Sequence, residues 1–319
     1  MAATRNARVA LALAALYVIW GTTYYVIRQA VLAMPPLTMA AIRYIIPGLA
    51  LYAWTRFRGA AAPTKPAWLR AAVLGGLMLA IGNGTVSYAE TRMPSGIAAL
   101  LVTMVPMWTV GLDWFLAGVR PRPLVVAGLA LGLCGVALLM SRDSGGWTCA
   151  PGSLCSDPFD LRFMLLIMFG SGCWALGSLR SRKGDAPKSF WQDLGMQMLA
   201  GGAILGVAGV VLGEPASFHP LQVSWKVWAG VLYLSLFGSV VALGAFLWLL
   251  RTTSPAVATT YAFVNPAVAV LLAAALGDQP LTWFVVGASA LIVAGVALIV
   301  AGKKRGAATT PPAAPLPPE

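Results

Sequence analysis

Apolar residues run along this chain in long blocks, separated by short segments where arginine, proline and glycine collect. A bilayer core about 30 Å thick is crossed by about 20 apolar residues of helix. Ten blocks meet that length: 9–28, 36–55, 68–89, 95–118, 124–140, 161–179, 190–212, 225–250, 255–276 and 281–301. The pattern predicts an all-α, polytopic membrane protein with ten transmembrane helices. The first block follows Arg5 and Arg8 and leads straight into a second, so it reads as a signal anchor rather than a cleaved signal peptide.

The blocks repeat. At an offset of 154, Trp20 matches Trp174, Arg43 matches Gln197, and Pro47–Gly48 matches Gly201–Gly202. At an offset of 160, Tyr88 matches Trp248, Ala98 matches Ala258, Pro106 matches Pro266, and the GVAL at 135–138 matches the GVAL at 295–298. Helices 1–5 therefore recur as helices 6–10. An odd number of spans per unit inverts the second copy, which gives two inverted five-helix repeats about an axis in the membrane plane. The expected units are 1–140 and 161–301, joined by a loop at 141–160 and followed by a disordered, proline-rich tail at 302–319.

Two matched prolines fall inside apolar helices, Pro106 in helix 4 and Pro266 in helix 9. Proline removes a backbone hydrogen bond and clashes one turn back. Each lies about 16 Å along its helix, near the midplane. Broken backbone at that depth is tolerated where it is buried in protein or lines a watery cavity. Pro106 and Pro266 are therefore read as hinges at the waist of a central cavity.

Composition agrees. The chain is 59% hydrophobic and 10% charged, too few charges to cover a water-facing surface. Its net charge of +12 raises the question of nucleic acid, which the distribution answers. The loops on the N-terminal side hold Arg5, Arg8, Arg56, Arg58, Lys65, Arg70, Arg120, Arg122, Arg180, Arg182, Lys183, Lys188, Arg251, Lys303, Lys304 and Arg305. The opposite loops hold only Arg28, Arg92, Arg142, Arg162 and Lys226. That bias puts both termini in the cytoplasm, so the partner of the basic charge is the bilayer and not a nucleic acid. Cys149 and Cys155 then lie in the longest outer loop, where a disulfide is expected in an oxidising periplasm. The only histidine is His219, and the chain has no HExxH and no GxxxxGK[ST] loop. Neither a metal, a cofactor nor ATP hydrolysis is expected.

Local patterns carry a resemblance. They are YVIWGTTY in helix 1, GCWALGSL in helix 6, IRYIIPG in helix 2, SGIAALLVTMVPMWTVGLDWFL through helix 4 and SPAVATTYAFVNPAVAVLLAAALGDQPL through helix 9. Over residues 9–301 the chain resembles the drug/metabolite transporter superfamily in its ten-helix EamA-type branch. Within that branch it is most similar to bacterial exporters of aromatic and other amino acids. The resemblance implies a secondary transporter in the bacterial inner membrane that exports amino acids or related small metabolites by alternating access through a central cavity. A multidrug or other metabolite exporter of the same fold is the alternative. The oligomeric state is left open by the sequence, with a monomer plausible. The family often carries Gly-Glu after helix 9; here Gly277 and Asp278 stand there, and after helix 4 the acid is absent.

Arg43 is the only basic residue deep in a span. Ionised residues in membrane helices usually face a cavity or a partner. Arg43 is placed either to bind a substrate carboxylate or to satisfy carbonyls of its own half. Aromatic rings with one polar handle suit a cavity wall, which selects Trp20, Tyr24, Tyr88, Trp108, Trp174 and Tyr261. Asn83 and Asn265 add neutral hydrogen-bonding groups near mid-depth. No carboxylate lies clearly at the waist: Asp113 and Asp193 are near inner ends and Glu90 near an outer one. Facilitative or weakly coupled export is therefore expected, against proton coupling through Asp113 or Glu90. An embedded enzyme lacks a nucleophile, base or metal set here. A channel is disfavoured because the aromatic waist has no rings of charge.

Overall fold

The structure is a computed structural model that describes residues 2–118, 120–140, 160–182, 187, 189–275 and 283–304. Cys149, Cys155, Asp278 and the residues after Lys304 lie outside these residues, as do the disulfide and most of the tail expected to be disordered, whose first residues 302–304 instead continue the last helix. Every regular element among the described residues is helical. In chain order they are α1 (Ala2–Val31), α2 (Pro36–Phe57), α3 (Lys65–Ala89), α4a (Ser95–Val102), α4b (Met104–Ala117), α5 (Pro123–Met140), α6 (Leu161–Arg180), α7 (Phe190–Val211), α8 (Trp225–Thr252), α9a (Pro255–Ala258), α9b (Tyr261–Ala275) and α10 (Trp283–Lys304). Among the described residues seven helical runs are long and apolar enough to cross a bilayer: α1, α2, α3, α4a with α4b, α6, α7 and α8. The expected fifth, ninth and tenth crossings fall on α5, α9a with α9b, and α10. α1 begins seven residues earlier than the apolar block, because Ala2, Ala3, Arg5, Ala7 and Arg8 are good helix formers.

Packing shows the two-fold relation. α2 packs along α7, and α5 along α10, so two pairs of corresponding helices meet each other. Other contacts come as exchanged partners. α1 packs on α9b as α6 packs on α4b, and α3 packs on α6 as α8 packs on α1. Small residues bring the paired backbones together. A Cβ on Gly295 would lie 2.7 Å from the Gly128 carbonyl oxygen, and one on Gly128 would lie 2.7 Å from that of Gly295. Gly202 similarly meets Ile45 of α2. The GxxxG segments at 128–132 and 202–206 thus form the α5–α10 and α2–α7 seams.

Two departures from regular helix occur at corresponding places. Gly75–Asn83 of α3 and Leu234–Ala242 of α8 wind as π-helix. Such segments are rare and often occur at functional sites. Each widens its helix beside the bundle centre and frees carbonyls from regular bonding.

The breaks in the fourth and ninth crossings differ from expectation. α4a ends at Val102 and α4b starts at Met104, so Pro106 falls in the first turn of α4b. There the backbone N–H has no partner within the helix in any case. Helix α9b instead runs unbroken through Pro266, and the discontinuity lies earlier, at Thr259–Thr260. Threonine hydroxyls take up the carbonyls at both breaks: Thr103 donates to Leu100 at 2.6 Å, Thr259 to Pro255 at 2.9 Å and Thr260 to Val257 at 2.8 Å. The two prolines are therefore not equivalent. Replacing Pro266 with alanine should raise thermal stability by about 1–3 kcal/mol, since it restores a bond to the Ala262 carbonyl. Pro106→Ala should leave stability within about 0.5 kcal/mol. Thermal unfolding in detergent checks both.

Candidate functional site

The end of the first π segment with the rest of α3, α1, α2, α4a, the start of α4b, α6 and the start of α9b converge on one internal cavity. Trp20, Thr23, Tyr24, Ile27, Arg43, Gly82, Asn83, Val86, Val102, Val105, Ser171, Trp174, Tyr261 and Asn265 line it. Its volume is about 50 Å³, room for a few waters and no more. A solute of amino-acid size fits there only if the walls move apart.

Arg43 is 2% exposed and joins the two halves. Its Nε donates to Ser239 Oγ at 3.0 Å, and one Nη donates to Asn83 Oδ1 at 3.2 Å. Asn83 closes the first π segment and Ser239 lies inside the second. Tyr44 packs under the guanidinium at 5.1 Å. Among the described residues no carboxylate lies within 4 Å of Arg43. A buried cation without an anion beside a cavity is suited to an anionic group that arrives from outside.

Below Arg43 four rings close together. Trp20 lies 5.6 Å from Trp174, 4.6 Å from Tyr261 and 5.4 Å from Phe246; Phe246 lies 5.6 Å from Trp174 and 5.5 Å from Tyr261. These edge-on and tilted packings are the favoured ones for aromatic pairs. The Trp20 indole N–H donates to the Gly238 carbonyl at 2.9 Å, inside the second π segment. The repeat-matched tryptophans of α1 and α6 thus touch at the centre. Ser171 Oγ on the wall has no hydrogen-bond partner among the described residues, while the Asn265 amide stands beside the Tyr24 hydroxyl and the Trp174 indole N–H beside the Tyr261 hydroxyl.

Of the residues selected from sequence, the structure gathers Trp20, Tyr24, Arg43, Asn83, Trp174, Tyr261 and Asn265 around this cavity. Two lie elsewhere. Tyr88 is 41% exposed and stands against Phe163. Five residues along α3 from Asn83 turn a side chain about 140° away. Trp108 is 40% exposed and packs over Gly172, where the missing side chain leaves a slot on α6. Asp113 is partly exposed near the end of α4b, away from the cavity. Glu90 is wholly buried. Phe246, part of the ring cluster, escapes a reading of the sequence because α8 is apolar on every face.

On the face where α1 begins, Asp193 of α7 is 1% exposed and meets two arginines, Arg70 of α3 and Arg251 of α8, each at 2.7 Å. Arg70 also donates to the Ser181 carbonyl at the end of α6. This cluster closes the bundle beneath the aromatic floor.

The model of the EamA-like transporter family matches residues 7–141 and again 161–301. The inner membrane transporter YedA of Escherichia coli K12 is 40% identical over 296 residues, which cover 92% of this chain and 90% of that protein. A probable amino-acid metabolite efflux pump of the same organism is 26% identical over 302 residues, covering 89% of this chain and 92% of the pump. A crystal structure aligns with a TM-score of 0.70 at 23% identity, covering 93% of this chain and 98% of the other.

Proposed function

We infer that this chain, which belongs to the EamA-like transporter family, exports amino acids or related small metabolites by alternating access, from a bacterial cytoplasm through the inner membrane, with both termini inside. The observation that carries the reading is Arg43: a buried cation with no carboxylate within 4 Å, held between the two halves above a floor of aromatic rings. An α-carboxylate replaces Asn83 and Ser239 as its acceptor, and charge-assisted bonds are about twice as strong as neutral ones. The rings below receive an apolar or aromatic side chain, and the buried Ser171 hydroxyl and Asn265 amide on the wall take further polar groups. Likeness to an amino-acid metabolite efflux pump supports the same substrate class.

The exchanged contacts of the halves support alternating access. One fold used in two orientations supports two states of similar energy, open to opposite sides. Arg43 bridges the π segments of both halves, so a carboxylate that competes for its N–H groups loosens one half from the other. The test is flux in proteoliposomes. Labelled L-phenylalanine and L-threonine should move at saturable rates and be accelerated by unlabelled substrate on the far side. Unsaturable flux without counter-transport would mean a channel. No flux of either amino acid would remove them as substrates.

A further inference from the structure

Glu90 is the first residue beyond α3, and it is 0% exposed. Neither carboxylate oxygen has a hydrogen-bond partner among the described residues, and Ser87 Oγ one turn before is in the same position. Glu90 lies four residues past Val86 and seven past Asn83, both of which line the cavity. Those spacings put all three on one face of the helix, so Glu90 continues the cavity wall beyond its present end.

The charges that face Glu90 are Arg28 of α1 and Arg43 of α2, with the Tyr24 hydroxyl between the same elements. Arg28 does not neutralise the carboxylate directly. Its guanidinium donates instead to the backbone carbonyls of Glu90 and Met93, which caps the end of α3. Helix α4a offers no ionisable group. On α6 the nearest charged residue, Arg162, is held at the surface by Asp160 at 2.7 Å. Glu90 and Arg43 form no ion pair with each other at 4 Å or less. Arg43 thus lines the cavity, and Glu90 lies just beyond its present wall on the helix face of Asn83 and Val86, with no ion pair between the two.

An ionised carboxylate out of water and without a donor is costly. In the empty cavity such a group is most stable as the neutral acid. We propose that Glu90 is the cation pole of the cavity: it holds a proton when the cavity is empty and gives it up when the ammonium group of a zwitterionic amino acid takes its place. The inference rests on the reading of Arg43 as the carboxylate anchor. The substrate carboxylate binds Arg43, the ammonium N–H groups donate to the Glu90 oxygens, and the displaced proton passes to water. Proton and ammonium exclude one another at one carboxylate, so substrate leaves against a returning proton. Export is then driven by the proton gradient, in contrast to the facilitative mechanism expected from the depth of Glu90 along its helix.

Infrared spectroscopy and flux test this separately. Substrate-free protein at neutral pH should show a protonated-carboxyl C=O band that Glu90→Gln lacks. Saturating L-phenylalanine should remove the band, and 3-phenylpropionate, which lacks the ammonium group, should not. In proteoliposomes an imposed pH gradient should drive uphill phenylalanine flux in the wild type and Glu90→Asp. Glu90→Gln should bind phenylalanine more weakly and lose at least about 10-fold of the gradient-driven flux, and Asp113→Asn should stay coupled. Absence of the band, its survival under phenylalanine that is being transported, or intact coupling in Glu90→Gln would each overturn the inference. Absence of any amino-acid flux in the wild type would sink the substrate reading, while the band would still decide whether Glu90 carries the proton.

Discussion

Replacing Arg43 with glutamine should lower transport kcat/KM on the order of 100-fold, about 2.7 kcal/mol, as expected when a charge-assisted anchor for the substrate is lost. Thermal stability should stay level or rise. The guanidinium is 2% exposed and has no carboxylate within 4 Å among the described residues, so removing it relieves desolvation without stranding an opposite charge. Glutamine is the informative substitute because Gln197 occupies the corresponding position of the second half. The variant makes the halves alike and keeps an amide donor for Asn83 or Ser239. An arginine that merely satisfies neighbouring oxygens would give the reverse result, with lower stability and nearly unchanged transport. Flux and unfolding measured on the same preparation separate the two roles.

The residues legible in the sequence were those that are rare in their setting. A single arginine deep in an apolar span, and tryptophans matched across a repeat, stand out against leucine and valine, and Arg43, Trp20 and Trp174 do meet at one cavity. The π segments left no such mark. Gly75–Asn83 and Leu234–Ala242 are ordinary apolar sequence, and the extra residue in each turn is settled by the helices packed around it. Phe246 was hidden for a related reason: where every face is apolar, periodicity does not tell a cavity wall from a lipid contact. The prolines marked the right crossings but not the right turns. The cost of Pro266 is met within a continuous helix, while the backbone breaks at Thr259–Thr260, whose hydroxyls supply local hydrogen bonds. Glu90 shows that depth along a helix is a poor guide to burial, since it is 0% exposed although it stands at the end of α3.

Replacing Asp193 with asparagine should have the second large effect, on the opposite side of the aromatic floor. The carboxylate is 1% exposed and holds Arg70 of the first half and Arg251 of the second at 2.7 Å each. Its loss leaves two like charges facing each other across α3 and α8. Breaking a buried ion pair costs about 3–5 kcal/mol. Arg251 is 37% exposed and solvates itself in part, so a loss of about 2–3 kcal/mol is expected in unfolding experiments. The more telling effect is on opening. Arg70 also binds the Ser181 carbonyl, so the cluster ties α3, α6, α7 and α8 together on the face where α1 begins. When this tie is cut, that face should open more readily. A cysteine at Ala258, which is 0% exposed at the break between α9a and α9b, should then react with an impermeant thiol reagent several-fold faster in inside-out vesicles. The comparison needs Cys134 and Cys173 replaced by serine in both proteins. Asp193→Glu should restore slow labelling, because it keeps the charge. If Asp193→Asn lowers stability but leaves Ala258→Cys as protected as before, the cluster only holds the helices together and has no part in closing the face where α1 begins.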